Sequence, residues 1–252
     1  MAKITVVGLG PGSLMDMTPR ARLAIEAAEV VAGYNTYIRL IEELLADGSK
    51  EVIGTAMMQE IDRCRLAVKT AAKGRETVVV SSGDAGVYGM AGLVLELILK
   101  LPEGERPQWG GVVAGVSAVN AAASLLGAPL MHDFAVISLS NLLTPWETIR
   151  KRIEMAAEGD FVTALYNPKS KKRVQNIEEV REIMLKHRSP DTPVGIVTAA
   201  SRDQQSKVIS TLQDFTKEEI NMFSLVIIGN SQTYVQEGWM VTPRGYEKKE
   251  QL

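Results

Sequence analysis

The fold is indicated most clearly by residues 77–89, which read TVVVSSGDAGVYG. The first five form a nearly continuous run of β-branched residues, which is typical of a strand buried on both faces of a parallel sheet. Gly83, Gly86 and Gly89 follow and indicate bends where the backbone comes close to another group. Ligands of open α/β sheets bind beyond the carboxyl ends of the strands, which is where this loop falls. The segment therefore predicts an α/β fold with a ligand site at the loop.

Strand-like and helix-like stretches alternate on both sides of this segment, as they do in α/β proteins. Predicted strands cover residues 4–7, 29–32, 77–81, 111–114, 134–139, 161–166, 194–198, 208–211 and 225–228. Predicted helices cover residues 35–45, 60–73, 88–100, 118–126 and 170–186. Further helices are predicted to begin at Thr18-Pro19, with threonine as N-cap, and at two capping boxes, residues 144–147 and 216–219. We expect two α/β domains, residues 1–127 and 128–252, with the active site in the cleft between them.

The composition argues against several classes of function. The chain has 252 residues, a formal net charge of -2, one cysteine and two histidines. A single cysteine cannot form an internal disulfide, a zinc cage or an iron–sulfur site, so we expect no protein-bound metal. The balanced charge argues against a nucleic-acid partner, and no apolar run is long enough to cross a membrane. Because a strand begins almost at the first residue, we expect no signal peptide and a cytoplasmic protein.

Two glycine-rich turns narrow the choice of ligand. Residues 8–12 read GLGPG directly after the first predicted strand. A dinucleotide-binding turn would need a third glycine where Ser13 stands, and Pro11 removes a backbone donor that a phosphate would use. We therefore expect the backbone to approach another kind of ligand here, although a tight turn without a ligand remains an alternative. In the second turn, Asp84 is either a ligand-binding residue or the N-cap of a helix.

A third turn, residues 114–119, reads AGVSAV and follows another predicted strand. It is not the nucleophile elbow of hydrolases, because Val119 stands where that motif needs glycine. The two histidines of the chain also leave little material for a serine triad. Ser117 either caps the alanine-rich helix that follows or faces the ligand.

A cluster of cations follows the predicted strand at residues 161–166. Residues 165–173 read LYNPKSKKR, and the Asn-Pro pair ends the strand in an extended turn. Cations in the first turn of a helix oppose its dipole, and such a local conflict is often retained for function. These side chains would suit a substrate with several carboxylates. The candidate carboxylate-binding residues are Lys169, Lys171, Arg173, Arg202 and Arg244.

In their order along the chain, these segments resemble the tetrapyrrole methylase family. The resemblance is carried by GLGPG at residues 8–12, GDAGVYG at 83–89 and GVSA at 115–118. The family usually has Gly-Asp-Pro in the second loop, and the Gly-Asp-Ala found here is similar to its precorrin-3B C17-methyltransferase branch. YNPKSKKR at residues 166–173 and MVTPRGY at 240–246 also resemble that branch.

The resemblance implies two α/β domains, a homodimer and S-adenosylmethionine as cofactor. It implies methyl transfer to C17 of the cobalamin precursor precorrin-3B or cobalt-factor III, coupled to contraction of the macrocycle. Candidates for the accompanying proton transfers are Asp84, Tyr88, His132 and Lys169. The implied cofactor contacts are Leu9, Gly10, Pro11, Gly83, Asp84, Val87, Tyr88, Ser117, Ala118, Leu165, Tyr166, Asn167, Ala199 and Ala200.

Three other functions remain open at this stage. A tetrapyrrole methylase acting on a different carbon would share most of these motifs. An RNA or protein methylase of the same fold is a second alternative, although the chain has no basic stripe for RNA. A protein that only senses S-adenosylmethionine is the third. Whether the substrate already holds cobalt is also open, because the macrocycle itself would bind that metal.

Overall fold

A computed structural model describes residues 2–56, 58–246 and 249. The chain divides into two compact units, Met1–Ala118 and Val119–Leu252. Each unit is built around a five-stranded sheet with helices packed against it. The α/β fold class is therefore confirmed, and the domain boundary after residue 127 stays a prediction. Among the described residues, no helix is both long enough and apolar enough to cross a membrane.

The N-terminal unit alternates strands and helices from its start. Its elements are β1 (Lys3–Gly8), α1 (Pro19–Ala27), β2 (Val30–Tyr34), α2 (Asn35–Arg39), α3 (Glu42–Leu45), β3 (Glu51–Thr55), α4 (Glu60–Ala72), β4 (Thr77–Ser81), α5 (Ala91–Leu99) and β5 (Gln108–Val113). The strands lie in the order β3-β2-β4-β1-β5, and all of the pairs are parallel. The loops that follow β1, β4 and β5 therefore leave the sheet at the same edge.

The strand β4 is buried on both faces, as its apolar run predicts. Val79 packs with residues of α4 and α5 on one face of the sheet. Val78 and Val80 point to the other face and pack with α1. This alternation follows from the two-residue period of a strand, and it explains why every residue of β4 is apolar or small.

Local sequence signals placed some helices well and others poorly. Thr18 caps α1 as predicted, because its hydroxyl accepts a hydrogen bond from the Ala21 amide at 3.1 Å and Pro19 occupies the first turn. The helix predicted over residues 35–45 is instead divided into α2 and α3. The division lies at Ile41, which leaves the helical region at φ -124° and buries its side chain in the core.

The C-terminal unit carries a mixed sheet. Its elements are α6 (Ala118–Leu126, which begins at the last residue of the first unit), β6 (Gly127–Ala128), β7 (Phe134–Ser138), α7 (Trp146–Glu158), β8 (Val162–Tyr166), α8 (Asn176–Leu185), β9 (Pro193–Thr198), β10 (Ser206–Thr211), β11 (Ser224–Ile228), β12 (Tyr234–Gln236) and β13 (Trp239–Val241). The five-stranded order is β10-β9-β11-β8-β7, and β12-β13-β6 form a small second sheet. Only β7 and β8 pair in parallel within the larger sheet.

Two helix starts predicted in this unit are wrong, and a third is right in position but not in its cap. The helix α7 begins at Trp146 with Pro145 as N-cap, so residues 144–147 make no capping box. The second predicted box falls on a short 3-10 turn, Phe215–Lys217. The helix predicted from residue 170 begins at Asn176.

The late start of α8 has a physical reason. Ser170 and Arg173 pair through two backbone hydrogen bonds of 3.1 Å, so the cations between them lie in a tight turn. The first turn of α8 instead holds Glu178 and Glu179, whose charges suit the helix dipole. The conflict between cations and a helix N-terminus is thereby removed.

The single cysteine is part of the core, and we expect it to be unreactive in the folded protein. Cys64 is fully buried in α4, and burial raises the pKa of its thiol to about 11. At pH 8 only about one thiol in a thousand would be ionised, and the thiolate is the reactive form. Titration with a thiol reagent should therefore detect no cysteine in the native protein and one after denaturation. Fast reaction of the native protein would contradict this packing.

Candidate functional site

The loops after β1 and β4 are joined at the carboxyl edge of the N-terminal sheet. The Gly10 amide donates to the Gly83 carbonyl at 3.1 Å, and the Gly83 amide donates back to Gly10 at 2.7 Å. The Leu9 amide donates to the Ser81 carbonyl at 2.9 Å. Both glycines have positive φ values, +80° and +68°, which residues with side chains rarely adopt. The structure therefore brings together two of the segments that the sequence predicts to bind a ligand.

The loop after β5 comes still closer to these two. A Cβ atom on Gly115 would lie 2.3 Å from the Gly83 carbonyl oxygen. A Cβ atom on Gly8 would lie 2.7 Å from the Gly115 amide nitrogen. Only glycine fits at either position without movement of the backbone. The close approach predicted from the glycines is therefore, at Gly8 and Gly115, an approach of one loop to another.

Asp84 joins the second loop to the third. One of its carboxylate oxygens accepts a hydrogen bond from the Gly86 amide at 2.8 Å, and the other accepts from the Gly115 amide at 3.0 Å. Asp84 is not a helix N-cap, because α5 begins only at Ala91 with Met90 as the capping residue. These two contacts favour a positioning role for the carboxylate.

The outer part of the second loop is accessible and strained. Val87 is 37% exposed and Tyr88 is 52% exposed. Tyr88 also has a φ of +53°, a left-handed conformation that costs a residue with a side chain about 1–3 kcal/mol. Such strain is typical of functional sites, where the surrounding structure holds it in place. Pro11 in the first loop and Ser117-Ala118 after the third loop lie next to these segments in the chain.

One edge of the larger C-terminal sheet gathers the remaining predicted cofactor contacts. Leu165, Tyr166 and Asn167 lie at the end of β8, and Ala199 and Ala200 follow β9. Asn167 and Ala199 both adopt left-handed φ values, 50° and 51°, and are followed by turns. The Tyr166 hydroxyl accepts a hydrogen bond from the Val119 amide at 3.0 Å, near the start of α6.

Two hydroxyl groups at this same edge, those of Ser138 and Thr198, were not predicted from the sequence. Ser138 ends β7, and its oxygen accepts a hydrogen bond from the Asn167 amide group at 3.0 Å. Thr198 ends β9, and its hydroxyl lies 2.8 Å from that of Ser224, which begins β11. Their positions could have indicated them, because a polar residue at the carboxyl end of a strand is a candidate for contact with a ligand.

Residues 169–173, here called the cationic turn, lie beside Asn167. Arg173 donates to the Asn167 carbonyl at 2.8 Å, and burial lowers the pKa of its guanidinium. Its Nε atom has no hydrogen-bond partner among the described residues. Within the described chain, Lys169 and Lys171 form no ion pair, and Lys171 is exposed. Among the described residues, therefore, no carboxylate pairs with the positive charges of this turn.

Two predicted residues lie elsewhere. His132 precedes β7 and so stands at the amino end of that strand, whereas Ser138 and Tyr166 stand at carboxyl ends. The His132 ring nitrogen accepts a hydrogen bond from the Asp133 amide at 2.9 Å. Arg244 donates to the Met131 carbonyl at 3.4 Å and thus lies near His132. By contrast, Arg202 lies in the turn after β9, with its amide 3.1 Å from the Ala199 carbonyl.

No group of three or more His, Cys, Asp or Glu side chains is placed to hold a metal ion within the described part of the chain. The polar groups at the two sheet edges are instead backbone amides, hydroxyls, an amide side chain, cations and the single carboxylate of Asp84. Such groups can orient an organic ligand and bind its carboxylates.

Comparison with known proteins identifies the family that the chain resembles. The family model "Tetrapyrrole (Corrin/Porphyrin) Methylases" matches residues 3–216. The cobalt-factor III methyltransferase of Priestia megaterium is 50% identical over 98% of this chain, which spans 46% of that longer relative. The probable cobalt-factor III C(17)-methyltransferase of Salmonella typhimurium is 49% identical over 96% of this chain and 99% of the relative.

A solved structure supports the fold independently. The crystal structure of the methyltransferase CobJ is similar with a TM-score of 0.90 and 36% identity, over 96% of this chain and 100% of CobJ. The family uses S-adenosylmethionine. The resemblance stated from the sequence motifs is thereby confirmed. This chain belongs to the tetrapyrrole (corrin/porphyrin) methylase family.

Proposed function

We propose that this protein transfers a methyl group from S-adenosylmethionine to C17 of cobalt-factor III in cobalamin biosynthesis. The observation that carries the proposal is the 49% identity to the Salmonella relative, which extends over 99% of that protein. The name of that relative specifies both the macrocycle and the carbon atom. The fused Priestia relative, at 50% identity, carries the same substrate name.

The residues of the chain suit the cofactor. S-adenosylmethionine supplies an already activated methyl group, so its site needs orientation more than strong acids or bases. The tied glycine loops provide a rigid backbone surface, and Val87 and Tyr88 provide accessible apolar surface beside it. The residues proposed to hold the cofactor are Leu9, Gly10, Pro11, Gly83, Asp84, Val87, Tyr88, Ser117, Ala118, Leu165, Tyr166, Asn167, Ala199 and Ala200.

The tetrapyrrole carries several carboxylates, and we assign these to the cationic turn. Lys169 and Lys171 have no ion-pair partner in the described chain, and Arg173 is partly desolvated, which strengthens its attraction for an anion. Arg202 and Arg244 remain proposed as further carboxylate contacts. Asp84, Tyr88, His132 and Lys169 remain the proposed proton-transfer groups, although the contacts of Asp84 favour positioning and the location of His132 gives it no support.

The test is anaerobic incubation with S-adenosylmethionine and either cobalt-factor III or metal-free precorrin-3B, followed by mass spectrometry. We expect the cobalt macrocycle to gain the mass of one methyl group, and NMR of the product to place that group on C17. Methylation of the metal-free form alone would assign the other substrate. Failure with both forms would reject the proposal, as would methylation at another carbon. Light scattering of the purified protein tests the homodimer that the family resemblance implies.

Removing charge from the cationic turn should weaken substrate binding without affecting the cofactor. In the double variant Lys169→Gln/Lys171→Gln, we expect the KM for cobalt-factor III to rise roughly 5–30-fold, as two exposed ion pairs of about 0.5–1 kcal/mol each imply. The affinity for S-adenosylhomocysteine should stay unchanged. Lys217→Gln is the control, because Lys217 is exposed and already paired with Asp214 at 2.6 Å. Equal KM values for both variants would remove the turn from the substrate site.

A further inference from the structure

Arg63 is a buried cation without a described anionic partner. It lies in the first turns of α4 and is only 3% exposed. Its guanidinium donates to the Thr55 hydroxyl and to the Met90 sulfur, the latter at 3.6 Å. Its Nε atom has no partner among the described residues, and no described carboxylate forms an ion pair with it. A full positive charge is thus held by a hydroxyl and a thioether.

This arrangement is unfavourable for the protein on its own. Burying a charge is costly unless the charge is paired and hydrogen-bonded, and a thioether is only a weak acceptor. The other buried arginine of the chain, Arg188, shows the usual solution. It donates to three backbone carbonyls and lies 3.9 Å from the Asp160 carboxylate. The Nε atom of Arg188 also lacks a hydrogen-bond partner, so Arg63 differs in having neither carbonyl acceptors nor a carboxylate among the described residues.

The position of Arg63 fits this interpretation. Thr55 is the last residue of β3, and Met90 directly follows the glycine-rich loop after β4. Arg63 therefore lies at the carboxyl edge of the N-terminal sheet, where ligands of parallel sheets bind. Met90 is only partly buried, and its unbranched side chain adapts readily to a new neighbour. A carboxylate that displaced the Met90 sulfur would be a far stronger acceptor for the guanidinium.

We propose that Arg63 binds a carboxylate group of the ligand held at this edge. The inference rests on the proposed function, whose cofactor and macrocycle both carry carboxylates. One source is the amino-acid part of S-adenosylmethionine, and the other is a side chain of the tetrapyrrole. Both sources would present a carboxylate to the guanidinium, and affinity measurements with each ligand distinguish between them.

The test compares Arg63→Met with Arg65→Met. Arg65 lies on the same helix, has a side chain 66% exposed and is paired with Asp62 at 3.6 Å, so it controls for the substitution itself. Calorimetry measures the affinity of each variant for S-adenosylhomocysteine, for 5′-methylthioadenosine, which lacks the carboxylate, and for cobalt-factor III. Thermal unfolding without ligand measures stability.

We expect Arg63→Met to lower the affinity for one carboxylate-bearing ligand roughly 10- to 100-fold, the usual effect of losing a charged hydrogen bond. If the cofactor supplies the carboxylate, the affinity for S-adenosylhomocysteine falls and the affinity for 5′-methylthioadenosine does not. If the macrocycle supplies the carboxylate, only the affinity for cobalt-factor III falls. The melting temperature of the ligand-free variant should hold or rise, because an unpaired buried charge has been removed.

Two results would overturn the inference. Wild-type affinities for all three ligands would show that Arg63 binds none of them. A lower melting temperature, or failure of Arg63→Met to fold, would show that the guanidinium supports the structure instead. The proposed function fails separately, through absence of methylated product from the wild-type protein, and the S-adenosylhomocysteine measurement still reports on Arg63 in that case.

Discussion

Gly115→Ala is expected to reduce the affinity for S-adenosylhomocysteine roughly 5- to 150-fold and to lower the stability of the N-terminal unit. The added Cβ atom would lie 2.3 Å from the Gly83 carbonyl oxygen and 2.8 Å from the Gly8 backbone. Both neighbours are main-chain atoms that are themselves hydrogen-bonded or fixed in the sheet, so the loops must separate. Overpacking of this kind costs about 1–3 kcal/mol, and it would also move the Gly115 amide away from Asp84.

Calorimetry with S-adenosylhomocysteine and urea unfolding together check this expectation. Gly92→Ala is the matched control, since a Cβ atom on Gly92 meets nothing within 4 Å and the residue lies inside α5. That variant should bind normally and gain about 0.5–1 kcal/mol of stability from its higher helix propensity. Normal cofactor binding by Gly115→Ala would show that the three loops need not be held together.

Arg188→Met is expected to destabilise the C-terminal unit by about 3–5 kcal/mol. The guanidinium is fully buried, and it donates to the carbonyl groups of Ala156, Phe161 and Gly229. Ala156 lies near the end of α7, Phe161 lies directly before β8 and Gly229 directly after β11, so one side chain joins the ends of three elements. Methionine would fill the space and leave the carbonyls without donors, each at a cost of about 1–3 kcal/mol.

Chemical denaturation followed by circular dichroism measures the effect. Arg150→Met is the control, because Arg150 is about half exposed and its contact with Glu179 is long, 3.6 Å. That change should alter stability by less than about 1 kcal/mol. Equal midpoints for the two variants would contradict the joining role of Arg188. Arg63→Met, by contrast, should leave the melting temperature unchanged or raise it. The two substitutions together thus distinguish a buried arginine that stabilises the fold from one that binds a ligand.

The features that the sequence predicts correctly depend on neighbouring residues. The burial of β4 follows from its own β-branched run, and the start of α1 follows from Thr18 and Pro19. The start of α8 was predicted wrongly because the pairing of Ser170 with Arg173 outweighs the helical pattern of the segment. The short strands β6, β12 and β13 could not be predicted, since two or three residues carry no period.

At the candidate site too, the sequence predicts features that depend on adjacent residues but not contacts between residues far apart in the chain. The glycine-rich segments identified the loops, because bends and close approaches need glycine wherever they occur. The partner of Asp84 is Gly115, which lies 31 residues away, so no local pattern reveals the contact. The isolation of Arg63 is also invisible in the sequence, because it depends on what α4, β3 and the second loop place around one side chain.

The strand order of the N-terminal sheet has a consequence for synthesis of the chain. Within that sheet β1 pairs with β4 and β5, and about 70 residues separate the end of β1 from the start of β4. At a ribosomal rate of roughly 5–20 residues per second, β1 therefore leaves the exit tunnel several seconds before any strand can pair with it. During that interval an apolar strand has no hydrogen-bonded neighbour, and it is a natural target for the chaperones that bind nascent chains.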